Sequence, residues 1–279
     1  MGAQLTPAKA RLDDGRAVNS LVGQLSESLR KRDFWAYSSW LDIVTRYRRT
    51  RLGLLWLLAP MIMFMGLIGP MFSQLFGRPM GVFLPHLGLG VAIWRMLLMV
   101  INDSTSIFRS NKSFILDINA RLTDFTLRSL AKALFYFAFA MMVVVPVLVW
   151  SPEIPTLNIL TLVVTLPIVV VNVFWLAYVI SIIGARFPDF GHMVSTVLMA
   201  GFLFTPIIWM GDRFPADSLG GIVVRINPAY HLLELVRAPV FGRWPEYHSL
   251  IYIVAMTIVG WGVAEWLSRR YARFVPIWI

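Results

Sequence analysis

Long apolar runs divide this chain, and they restrict it more than any motif does. Six stretches, about residues 53–76, 82–107, 128–150, 157–184, 193–210 and 248–268, approach or exceed the roughly 20 apolar residues needed to cross a hydrocarbon core. None alternates polar and apolar residues with a period of two. In lipid every backbone donor must be satisfied within its segment or in a closed barrel, so the runs read as helices. Composition agrees: 58% of residues are hydrophobic and 14% charged, and mean hydropathy is +0.69. Soluble domains hold about 25% charged residues. The expected fold is an all-α membrane protein with six transmembrane helices. The second run is the weakest, because it contains Arg95, Asn102 and Asp103. The fifth is short and ends at Pro206, Trp209 and Met210.

Positive charge predicts sidedness. The segment up to Arg51 is rich in Lys and Arg. Arg109, Lys112, Arg121, Arg128 and Lys132 follow around the second loop, Arg186 after the fourth run, and Arg269, Arg270 and Arg273 after the last. The opposite side holds only Arg78, Arg213, Arg225, Arg237 and Arg243. Both termini are therefore expected in the cytoplasm. Three regions follow: a cytoplasmic segment 1–52, a permease domain 53–268 and a tail 269–279. The first thirty residues lack the apolar core of a signal peptide. Met1-Gly2-Ala3-Gln4-Leu5-Thr6 fits a loose myristoylation pattern, but a chain with several spans needs no lipid anchor. The net charge of +10 reads as orientation and attraction to anionic headgroups rather than as nucleic-acid binding. There is no cysteine, so disulfides are excluded.

On the less basic side, residues 226–242 read INPAYHLLELVRAPVFG. Asn227 suits a helix cap, Pro228 the first helical position, and Pro239 and Gly242 its end. Ten helical residues span about 15 Å, half of the hydrocarbon core. Such a helix can dip in and return, or lie at the surface with Glu234 and Arg237 as an i, i+3 pair. His231 and Glu234 share a face, but two ligands without a third are a weak metal signal, and no metal site is expected.

Residues 34–52, FWAYSSWLDIVTRYRRTRL, place Trp40, Ile43, Val44 and Tyr47 at helical spacing. This predicts an amphipathic interface helix. Arg46, Arg48, Arg49 and Arg51 cluster at its end, where guanidinium forks suit phosphate oxygens. In the second cytoplasmic loop, Phe114, Ile115 and Leu116 are expected to present apolar knobs to a soluble partner. Packing against the protein's own helix ends is the alternative.

Enzyme signatures are missing: there is no G-x-x-x-x-G-K-S/T, no H-E-x-x-H, no G-x-S-x-G and no Cys nucleophile. Any uphill transport therefore draws on an ion gradient or on another chain. Arg95 is expensive inside a span unless paired or wet; it has a functional role or pairs with Asp103. Trp56, Phe64, Trp94, Phe202, Phe204 and Trp209 are packing or belt residues, or line an aromatic path that sugar rings can stack on. Their spacing favours no single helix face.

Several marks coincide in order: the amphipathic segment, RYRRTRLGLLWLLAP, GARFPDF, TPIIW and NPAYHLLELVRAPVFG. From about Phe34 onward the chain resembles the permease subunits of ABC polysaccharide exporters, the type-2 ABC permeases, and most of all those of O-antigen (lipopolysaccharide) export. The resemblance implies a homodimer of six-helix subunits with two copies of a separate ATPase that binds ATP and Mg, and no cofactor on this chain. It implies export of a glycan linked to undecaprenyl pyrophosphate across the bacterial inner membrane, with no nucleic acid involved. It implies short re-entrant periplasmic helices between spans five and six, so that Tyr230, His231, Glu234 and Arg237 join Trp56, Phe64, Trp94, Arg95, Phe202, Phe204 and Trp209 along the glycan path or outer gate. Leu52 and Gly53, with the four arginines, match the lipid-side entrance. Phe114, Ile115, Leu116, Arg186 and Asp189 are expected to meet the ATPase. Arg95 departs from the family pattern, where an apolar residue is expected. Teichoic acid or capsule export shares the scaffold. A secondary transporter or channel is an alternative of another class, but the intramembrane acids it needs are lacking apart from Asp103.

Overall fold

A computed structural model describes residues 20–117, 120–152, 157–211 and 218–279. The start of the predicted cytoplasmic segment, residues 1–19, and Arg213 lie outside the described residues. Every regular element among the described residues is helical. Two helices precede the apolar runs, α1 (Leu21–Arg30) and α2 (Asp33–Tyr47). Five helices are long and apolar enough to cross a membrane: α3 (Gly53–Leu75), α4 (Met80–Ser104), α7 (Leu122–Trp150), α8 (Leu162–Arg186, entered through a 3-10 stretch from Leu157) and the helix beginning at Tyr247, α12 (Tyr247–Tyr271). Short helices α5 (Ile107–Ser110) and α6 (Lys112–Asp117) join α4 to α7. Helices α9 (Phe190–Phe204), α10 (Leu219–Ile226) and α11 (Pro228–Val240) separate α8 from α12, and α13 (Val275–Trp278) ends the chain.

The fifth apolar run differs from its prediction. Residues 193–210 were expected to span, but α9 is a 15-residue helix of about 22 Å, and Thr205–Met210 is not helical. The cause is local. A residue before proline is pushed out of the α region, and Thr205, preceding Pro206, sits at ψ 137°. Other boundaries moved outward. Helix α7 starts at Leu122 rather than 128, and α12 continues past 268 to Tyr271. The added first turns of α7 carry polar groups with partners of their own, so the helix outruns its apolar stretch.

Helix α3 is irregular throughout. A 3-10 turn (Gly53–Leu57) leads into α-helix, then a π segment (Phe64–Ile68), then α-helix again. Pro60 and Pro70 cannot donate to the turn before them, which breaks the uniform ladder.

The core centres on α4. In its most apolar stretch 72% of residues are buried, against 28% or less in the other four crossing helices. Those four therefore turn broad faces outward. Lipid removes the hydrophobic drive between helices, so polar contacts tie them together. Asn172 of α8 donates to Thr257 of α12 (2.8 Å) and accepts from the Trp175 indole (3.0 Å); the Tyr178 hydroxyl meets Ser268 (3.0 Å).

One end of the bundle is strongly basic and laced with ion pairs. Arg128 of α7 forks onto Asp42 of α2 (2.9 and 2.7 Å). Lys132 pairs with Asp103 (2.8 Å), so the alternative pairing of Asp103 with Arg95 is not formed. Ser28 and Thr123 hydroxyls meet at 2.7 Å, and the Leu21 amide donates to Glu265 (2.7 Å). Arg121 hydrogen-bonds Glu27, and this contact, with a second one from Lys31, lowers the Glu27 carboxyl from 4.5 to about 2. A depressed folded-state pKa gives stability that is complete above about 4.5 and lost as pH falls through about 2. Amide exchange in α1 should accordingly be slower in the wild type than in Glu27→Gln at neutral pH, with the difference vanishing as pH falls from 4.5 towards 2. A difference independent of pH would show that the carboxylate does not hold α1.

Candidate functional site

Helix α2 delivers its arginines to the mouth of α3. Arg46, Arg48, Arg49 and Arg51 are all exposed, and Leu52 is 52% exposed. Gly53 then adopts φ +52°, with nothing within 4 Å of where a Cβ would stand. The left-handed backbone, not crowding, calls for glycine here, and it lets the chain swing from α2 into the 3-10 entry. Behind the turn lies a cavity of about 440 Å³ between α2, α3, α4 and α7. Arg46, Tyr47, Trp56, Arg95 and Tyr136 are among its walls, and the Tyr47 and Tyr136 hydroxyls stand 3.5 Å apart. The structure thus joins Arg46 to Arg95, which the sequence had assigned to different places. Arg48, Arg49 and Arg51 stay outside the cavity walls. Sequence reading missed Tyr136; Tyr47 was legible only as part of the apolar stripe of α2.

Three of the six aromatics assigned to a path pack on one another, while Trp56 and Phe204 are exposed. Trp94 is 5% exposed and packs on Phe202 (6.0 Å between centroids), which meets Phe64 edge-on (6.5 Å). These three rings knit α3, α4 and α9 together. Phe204 is exposed, and Trp209 donates its indole N–H to the Leu203 carbonyl (3.1 Å).

At the other end, Asn227 caps α11 as its position predicted: its side-chain oxygen accepts from the Ala229 amide (3.0 Å). Its amide nitrogen also donates to Thr205 Oγ1 (2.7 Å). His231 is 2% exposed and uses both ring nitrogens, one with Ser249 (2.8 Å) and one with the Arg225 carbonyl (2.7 Å), while its ring stacks on Tyr252. Tyr230 is also buried. Both side chains therefore sit in packing and not on an open path, a correction to the sequence reading. The reason is that His231 faces the start of α12 rather than away from the bundle.

Arg237 also departs from expectation. No ion pair joins it to Glu234 among the described residues. Its guanidinium, 4% exposed, donates to the carbonyls of Pro206, His86 (3.0 Å) and Ile207 (3.4 Å). The break at Pro206 leaves carbonyls without helical partners, and a guanidinium can satisfy several at once. Helix α4 makes room through Gly90, where a Cβ would stand 1.9 Å from Arg237 Nη2. His86 adds a contact to the Trp209 carbonyl (3.2 Å).

Of the predicted coupling residues, Phe114 and Leu116 are about 40% exposed, at 42% and 44%, while Ile115 is 3% exposed in a core with Phe108, Leu122 and Phe125. Ile115 is an anchor and not a knob, because successive helical positions point apart. Arg186 is exposed, with its guanidinium 5.7 Å from the Trp278 ring, and Asp189 is exposed before α9.

Five helices able to cross a membrane, of which α4 is largely buried among the others, define a multi-pass membrane protein. The chain belongs to the ABC-2 type transporter family, whose profile matches residues 35–241, from α2 to just past α11; it is a membrane transport subunit. Over 101 residues it is 25% identical to the O-antigen export system permease protein RfbA of Myxococcus xanthus, which covers 36% of this chain and 39% of that relative. The match thus spans well under half of the relative's length.

Removing the Arg237 head should expose the role of this contact. Arg237→Met leaves buried carbonyls unsatisfied, which costs about 1–3 kcal/mol for each group. Its thermal unfolding in detergent should fall sharply, while Glu234→Gln shifts it little and the two changes add. Strong coupling between the two substitutions would restore the ion-pair reading.

Proposed function

We propose that this chain is the permease subunit of an ABC exporter that moves a polysaccharide of O-antigen type, linked to undecaprenyl pyrophosphate, across the bacterial inner membrane. It works as a homodimer with two copies of a separate ATPase, which binds ATP and Mg. The basic end, with α1, α2 and both termini, faces the cytoplasm, in line with the distribution of Lys and Arg. Helices α10 and α11 face the periplasm as re-entrant elements at the outer gate. The exposed Phe114 and Leu116, with Arg186 and Asp189, receive the motion of the ATPase.

One observation carries the reading: the exposed cluster of Arg46, Arg48, Arg49 and Arg51 ends at a left-handed glycine that opens the first crossing helix. Guanidinium groups pair with phosphate oxygens in two-pronged fashion and keep their charge at any physiological pH. Placed at the cytoplasmic surface, the cluster draws in the pyrophosphate while the polyprenyl tail remains in lipid. Family membership supports the partnership with an ATPase, and the similarity to an O-antigen export permease supports the substrate class.

The test uses the chain purified in mild detergent together with its ATPase and returned to liposomes. Lipid-linked glycan should stimulate ATP hydrolysis. With insertion verified, the four-fold Arg→Gln protein should require at least about tenfold more substrate for the same stimulation, since each arginine near a charged membrane surface contributes about 1 kcal/mol and screening removes part of the sum. Failure to recover an ATPase, or an unchanged substrate requirement at low salt, would remove the reading.

A further inference from the structure

Arg95 sits oddly on the most buried helix of the bundle. Its neighbours Trp94 and Met96 are 5% and 2% exposed, yet its own side chain is exposed and opens on the 440 Å³ cavity. Among the described residues it has no ion pair. A cation on a membrane-crossing helix is expensive unless it is paired or wet. Asp103, the acid closest in sequence, is taken by Lys132.

The cavity wall says what the missing partner is. Among the described residues its only formally charged groups are Arg46 and Arg95, both positive. The other polar side chains there are the tyrosines 47 and 136, and most of the remainder is apolar, with Trp56 and Met99 as examples. No carboxylate or side-chain amide among the described residues lines it, so sugar hydroxyls would find few acceptors. An anion joined to hydrocarbon fits both halves of the wall. Arg95 lies nine residues before Ser104, about 14 Å from that end of α4. A long cationic side chain there reaches back towards the headgroup level, where the end of α2 holds Arg46. Basic pockets between crossing helices on the cytoplasmic side suit anionic lipid heads.

We propose that this cavity is a binding site for an anionic phospholipid of the surrounding leaflet. Its phosphate bridges Arg46 and Arg95, and acyl chain covers the wall beside Trp56 and Met99. Bound there, the lipid neutralises the cation on α4 and fills the gap between α2, α3 and α7. The proposal rests on the membrane-spanning reading and not on which substrate is exported. Arg46 is common to this site and to the entry cluster, whereas Arg48, Arg49 and Arg51 lie outside the cavity and Arg95 outside the cluster, so a change at Arg95 alone separates the two sites.

The test measures lipid that stays with the protein. The full chain is placed in nanodiscs of equal phosphatidylglycerol and phosphatidylcholine, then extracted, and the retained lipids are quantified by mass spectrometry. The wild type should keep phosphatidylglycerol in preference to phosphatidylcholine. R95Q should keep about fivefold less, the factor equivalent to about 1 kcal/mol for one arginine at such a surface, and R95K should restore most of it. Thermal unfolding in a lipid-free detergent should be the same for all three, because the side chain is exposed and has no ion pair among the described residues. Equal retention of both lipids by the wild type, or unchanged phosphatidylglycerol in R95Q, would overturn the proposal. So would its displacement by equimolar polyprenyl pyrophosphate whose own binding R95Q abolishes, since the cavity would then belong to the export substrate. ATPase stimulation plays no part in the measurement, so its outcome is separate from that of the export reading.

Discussion

The guanidinium of Arg237 is buried where α9 stops being helical, and three backbone carbonyls from two different segments converge on it. Each segment depends on the others. Pro206 ends α9 and leaves its carbonyl and that of Ile207 facing inward. Gly90 keeps the surface of α4 low enough for the charged head to enter. Asn227 caps α11 and holds Thr205 with the same side chain. A buried charge that lost these acceptors would be severely destabilising, because its N–H groups would be left without hydrogen-bond partners. The non-helical stretch 205–210 is thus tolerated because protein, not lipid, meets its polar groups.

The two ends of the bundle solve different problems. The Arg237 end is closed by buried hydrogen bonds, stacked rings and a capped short helix. The basic end is held by ion pairs around α2 and α7, and it leaves charge to spare: the arginines after Arg46 are exposed and the cavity beside them carries two unbalanced cations. In general, surplus positive charge at a membrane face attracts anionic headgroups, and here the irregular α3 between prolines 60 and 70 gives the adjoining wall a backbone that is not a uniform helix.

Much of this was legible in the sequence, for identifiable reasons. Crossing helices follow from long apolar runs, because lipid leaves the backbone no other choice. The caps of α11 follow from Asn227 and Pro228. The amphipathic α2 follows from Trp40, Ile43, Val44 and Tyr47. What failed concerned partners across the fold. Spacing along one helix suggested that Arg237 meets Glu234, and a sequence carries no trace of carbonyls arriving from residues 86 and 206. His231 looked like a group facing a path, but its partners are Ser249 and the Arg225 carbonyl. Arg95 was visible as an anomaly, yet only the fold brings Arg46 to it. The shortness of α9 was foreshadowed by Pro206, although hydropathy alone extended the run to 210.

The proposed arrangement has α11 enter and leave on one side of the membrane, with Arg237 as its anchor from within. The chain has no cysteine, so single cysteines can report this directly. Ile226 and Arg243 bracket α11 and are both exposed, whereas Leu233 and Leu235 are buried. In intact cells an impermeant thiol reagent should modify Ile226→Cys and Arg243→Cys from outside, and leave Leu233→Cys, Leu235→Cys and the arginine-cluster control Arg48→Cys unmodified. Modification of positions 226 and 243 from opposite sides of the membrane would mean that α11 crosses it, and would contradict the account.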